Sequence, residues 1–153
     1  MKSLILSLSI LVFIMSGCSN SEQVIEIENK EKASSLFIQK VENDTSSEEL
    51  TKVVSDKQQI EQVLTMAEGL EVKKISFEET MKKMKATNTY MFVFSEGKEI
   101  QSGEKAPFAF YALENGTFIF PYNDFNSPQK PLITVERQKG LLDEMKQLFE
   151  ITF

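Results

Sequence analysis

The spacing of hydrophobic positions changes several times along the chain, and each change marks an element. "LFIQKV" (36–41) and "ELTKVV" (49–54) are short runs of branched and aromatic residues on either side of the turn-prone "NDTSSE", which predicts a hairpin. From residue 57 the period lengthens: Ile60, Val63, Leu64 and Ala67 share one helical face, with Asp56 placed as N-cap, Gln59 at capping-box spacing and Gly69 at the C-terminus. Ser76 and Glu79 repeat the device, and the spacing predicts a short helix over 76–86 with Phe77, Met81 and Met84 on one side. Alternation returns in "TYMFVFS" (89–95), which places Tyr90, Phe92 and Phe94 on one face.

"PFAFYALENGTFIFPY" (107–122) contains Asn115-Gly116, a strong hairpin signal. With those two as the turn residues, Glu114 faces Thr117. One sheet face then carries Tyr111, Leu113, Phe118 and Phe120, and the other Phe108, Phe110, Ala112 and Ile119. "LITV" (132–135) predicts a further strand after a loop with two prolines. "KGLLDEMKQLF" predicts a closing helix with Leu141, Leu142, Met145, Leu148 and Phe149 inward. The order ββα(α)βββ(β)α predicts an α+β domain over 35–153, an antiparallel sheet of about five strands with two or three helices packed on it. The preceding "SNSEQVIEIENKEKAS" is mostly polar and reads as a flexible tether, residues 18–34 including Cys18, with "QVIEI" as an edge strand the alternative.

The N-terminus has a different pattern. Lys2 is followed by a 12-residue run, Leu4 to Met15, apolar except for Ser7 and Ser9, and then by Ser16, Gly17 and Cys18. Spanning a bilayer takes about 20 residues, so the run reads as the apolar region of a signal peptide, residues 1–17. Met15-Ser16-Gly17-Cys18 resembles the lipobox of bacterial lipoproteins. That resemblance implies a diacylglyceryl group on the Cys18 sulfur, cleavage between Gly17 and Cys18, and a mature chain anchored in the membrane on its extracytoplasmic side. Two acyl chains on one residue supply the double anchor that stable attachment requires.

Composition narrows the partners. The charge is −6 from 17 basic and 23 acidic residues, and loss of Lys2 with the signal leaves 16 against 23, or −7. Without a basic run to override it, that balance repels nucleic acid and anionic lipid head groups, and no nucleic-acid partner is expected. Cys18 is the single cysteine, so no internal disulfide forms, and no thiol remains once it is lipidated. The chain has no His, which removes nucleophilic catalysis with a His base, and zinc ligation fails for want of His and Cys clusters. Its six glycines are scattered, with no phosphate-cradling loop among them. "NDTSSEE" and "YNDFN" hold calcium-compatible oxygens but lack the alternating acidic spacing of a calcium loop. Neither cofactor nor metal is expected. The pairs Glu48-Glu49, Glu78-Glu79 and Asp143-Glu144 are adjacent in sequence, so each pair diverges on a strand or helix.

In its element order, its Asn-Gly hairpin and the Pro-Tyr after it, the span 35–149 is similar to the small YhfM-like extracytoplasmic domains of uncharacterised Gram-positive lipoproteins. That resemblance implies no catalytic residue, and the helix at 76–86 departs from it. The expectation is a non-enzymatic binding or interaction module recognising an envelope protein or small ligand. Tyr122 and Phe125 in the proline-bounded loop are its candidate contact surface. The alternatives are an inhibitor or regulator that inserts the turn "ENG" or "NDFNSP" into an envelope enzyme or membrane sensor, and a hydrolase working with carboxylates alone.

Overall fold

The computed structural model describes residues 22–97, 106–121 and 130–153. Eight strands form one antiparallel sheet: β1 (Gln23–Val24), β2 (Ser35–Val41), β3 (Thr51–Val54), β4 (Glu71–Lys74), β5 (Thr89–Ser95), β6 (Ala109–Leu113), β7 (Phe118–Phe120) and β8 (Leu132–Thr134). Their order across the sheet is β1-β4-β8-β7-β6-β5-β2-β3. Three helices accompany it: α1 (Lys57–Ala67), α2 (Phe77–Lys85) and α3 (Lys139–Leu148). The α+β class and antiparallel sheet are as the pattern predicts, but the sheet has eight strands rather than about five.

The missed strands have a common cause. β4 is "EVKK", with Val72 its only buried residue, and β1 is two residues long, so neither shows alternation. β1 pairs Gln23 with Val72, and Ile25 extends the attachment by donating to the Leu70 carbonyl and accepting from the Gly69 N–H. Ala33 is fully buried in the main core. Residues 22–34 are therefore part of the fold; the edge-strand reading of "QVIEI" holds, and the domain begins before residue 35.

The main core lies between one sheet face and helices α1 and α3. Leu36, Ile38, Tyr90, Phe92, Phe94, Phe110 and Phe118 meet Ile60, Val63, Leu64, Leu142 and Met145 there. Phe92 stacks on Phe110 at 4.8 Å between centroids, and Phe110 also packs against Phe94, Phe118 and Phe120. Asp56 caps α1 as predicted, accepting from the Gln59 N–H at 3.0 Å. Gly69 follows the helix at φ +84°, a left-handed turn suited to glycine.

The second hairpin departs from its predicted register. The Gly116 N–H donates to the Leu113 carbonyl, the Leu113 N–H donates to that of Thr117, and Gly116 alone takes positive φ. This is a three-residue loop, a turn over Glu114 and Asn115 closed by a left-handed glycine, instead of a two-residue type I′ turn. The extra residue pairs Ala112 with Phe118 and Tyr111 with Ile119. A one-residue slip reverses every side chain of β7 relative to β6. Phe118 and Phe120 consequently join Phe110 and Ala112 in the main core, while Ile119 joins Tyr111 and Leu113 on the opposite face.

Candidate functional site

Four of the residues singled out by sequence, Gly17, Cys18, Tyr122 and Phe125, lie outside the described residues. The last two follow Pro121, just beyond β7, and precede Lys130, which leads into β8. The aromatic residues of the predicted strands are mainly core: Phe92, Phe94, Phe110 and Phe118 are buried under the two helices. Tyr111, on the other face, has its phenol pushed above its ordinary pKa by burial.

That second face is where the structure is incompletely packed. α2 crosses it on the way from β4 to β5, above a small cluster of Ile75, Leu113, Ile119 and Ile133. Ser76 caps the helix, accepting from the Glu79 N–H at 3.1 Å. The predicted grouping of Phe77, Met81 and Met84 on one side is divided, however. Thr80 is the helix's buried residue and Met84 is half-buried, while Phe77 is 71% exposed and Met81 37%. Helical spacing identifies which residues share a face but not which way the face points, and Thr80 and Met84 are also four apart. Phe77, Met81 and Lys85 thus form an outward ridge at successive four-residue steps.

On the other flank of α2 lies a hollow of about 600 Å³ between the helix and the sheet end. Ile75, Leu113 and Ile133 line its apolar part; Lys73, Lys74, Lys83, Arg137, Glu79 and Glu136 supply its charges, and Thr87, Thr117 and Asn115 its neutral polar groups. None of those six charged side chains is ion-paired among the described residues. Four cations against two carboxylates make this a locally positive hollow on an acidic protein. The cations are scattered between residues 73 and 137, so they formed no motif. The one available signal was local, five lysines against three glutamates in residues 71–86.

Elsewhere the polar groups serve the fold. The Tyr90 hydroxyl donates to the Phe153 carbonyl at 3.0 Å and accepts from Lys146 Nζ at 2.8 Å, and the same ammonium lies 4.7 Å from the ring centroid. Lys52 and Gln59 donate to the carbonyls of Phe149 and Leu148 at the end of α3. Lys40 is ion-paired with Glu42, whose hydrogen bond holds the ammonium above its usual pKa despite the opposing effect of burial. Glu68 is held below the usual carboxylate range by a hydrogen bond from Lys30.

The predicted carboxylate pairs make no shared site. Glu48-Glu49 and Glu78-Glu79 are exposed, and Asp143 is paired with Lys139 at 2.8 Å. Among the described residues no three metal-ligating side chains cluster. In the "ENG" turn the Gly116 carbonyl accepts from the Gln138 N–H at 2.7 Å and Glu114 accepts from Asn88 Nδ2 at 3.1 Å, while Glu114 and Asn115 are exposed. No helix among the described residues is long and apolar enough to cross a membrane. In comparisons with known proteins, no family model, curated protein or solved structure matches the chain.

Proposed function

We propose that the protein is a lipoprotein anchored through Cys18 to the extracytoplasmic face of the cell membrane, and that its domain is a binding module without catalytic chemistry. The anchor rests on the apolar run ending in Ser-Gly-Cys. The observation that carries the binding reading is the hollow beside α2, which offers unpaired cations and hydroxyls around an apolar floor. Such a lining suits recognition of an anionic small ligand or an acidic patch on an envelope protein.

Two experiments test the two halves separately. Metabolic labelling with a fatty-acid probe is expected to mark the wild type and not Cys18→Ser, which is released into the medium; equal labelling refutes the anchor. Crosslinking on intact cells is expected to capture a partner or ligand that Lys83→Glu with Arg137→Glu no longer captures. Unchanged capture by that variant refutes the hollow as the contact site.

A further inference from the structure

We infer that the α2 side of the domain docks on the membrane surface itself, with Phe77 and Met81 entering the interface and the neighbouring lysines meeting anionic head groups. The inference rests on the Cys18 anchor and adds an orientation to it. β1 is antiparallel to β4, with Gln23 opposite Val72 and Val24 opposite Glu71. The amino-terminal end of β1 therefore lies on the side of Lys73 and Lys74, the end of β4 that leads into α2. Five residue steps separate Cys18 from Gln23, a reach of at most about 18 Å. A lipid on Cys18 thus keeps this corner of the sheet, rather than the distant β3 edge, close to the bilayer.

The chemistry of that corner fits a bilayer. Phe77 is the most exposed large apolar side chain among those described, and Met81 continues its ridge. Residues 71–86 hold Lys73, Lys74, Lys82, Lys83 and Lys85 against Glu71, Glu78 and Glu79, whereas the whole chain is at −6. An acidic domain is repelled by an anionic leaflet everywhere except at such a surface. An apolar ridge flanked by lysines is also the composition by which helices lie in a membrane interface. A protein partner would need no relation between this ridge and the direction of the anchor.

The absence of tryptophan from the chain makes an introduced indole an unambiguous reporter. The full chain carrying Phe77→Trp is purified with its lipid and reconstituted into phosphatidylcholine vesicles, with or without phosphatidylglycerol, containing brominated phospholipid. Flotation reports the anchor and indole quenching reports the docking. The expected result is flotation in both lipids, with a blue-shifted, quenched indole in the anionic vesicles. Each of Lys73→Glu, Lys74→Glu and Lys85→Glu is expected to lower the docked fraction relative to the undocked by roughly fivefold or more. Gln62→Trp, on the exposed side of α1, is expected to stay unquenched. Flotation with an unquenched indole at position 77 would leave the ridge to a protein partner and overturn the docking, with the anchor standing. Equal quenching at positions 62 and 77 would overturn it as well. Failure to float would remove the anchor and the inference together.

Discussion

At the scale of single residues, backbone conformation explains more than side-chain chemistry. Gly116 combines φ +86° with close approach to α3: a Cβ there would lie 2.6 Å from Cα of Lys139 and 2.9 Å from the carbonyl carbon of Gln138. Gly116→Ala is expected to cost roughly 2–4 kcal/mol, from the left-handed penalty together with a clash against backbone that cannot swing aside, read as a lowered denaturation midpoint. Glu150 presents the reverse case. It ends α3 at φ +50°, with Ile151 N–H donating to the Lys146 carbonyl and Glu150 N–H to that of Gln147, a Schellman closure in which glycine is usual. Glu150→Gly is therefore expected to raise stability by about 0.5–1 kcal/mol in the same measurement. Glu68 sets a pH dependence. Its folded pKa is lowered by Lys30, so the stability it contributes is present above the ordinary carboxylate range and lost as pH falls through the folded value. Amide exchange in residues 23–33 is expected to become relatively faster on acidification through that range, and Lys30→Ala to abolish the effect.

At the scale of elements, the sequence was most legible where burial and periodicity coincide. α1 has its cap, its four buried residues and its left-handed glycine where the pattern put them. β5 buries Tyr90, Phe92 and Phe94 on one face as the alternation required. Legibility failed where an element has little to bury. β1 and β4 are held by ladder hydrogen bonds that any residue can make, and α2 offers two candidate faces of which the polar-looking one is inward. The hairpins show a subtler failure. Asn43 and Asp44 both take positive φ in a tight two-residue turn, while Asn115-Gly116, the better match to that turn, sits in a longer loop. The contact of Gly116 with α3 and the bond between its carbonyl and Gln138 fit the longer loop, so a tertiary contact accompanies the departure from local preference. The hollow beside α2 was illegible because its cations converge only through the β4–β8 pairing. A chain beginning at Ser35 lacks β1, Ile25 and Ala33, and is expected to be destabilised by about 3 kcal/mol in chemical denaturation.

At the scale of the whole molecule, sequence order and spatial order diverge. β8, the last strand, is third in the sheet and joins β4 to β7, and α3 after it completes the main core. A chain ending at Pro131 is expected to show no cooperative unfolding transition, because β1 and β4 then have no attachment to the remaining strands and Phe110 loses the cover of Leu142 and Met145. Far-ultraviolet dichroism against denaturant checks this. The interior position of the final strand also bears on timing. A polypeptide threaded amino-terminus first through a translocation channel meets no complete sheet until its last twenty or so residues emerge. The leading segment can already bring together β3, β2, β5, β6 and β7, but β1 and β4 wait for β8 to join them to the rest. Under the proposed export, the interval before closure is when the β1–β4 edge and the uncovered face of the sheet are most open to proteases and chaperones.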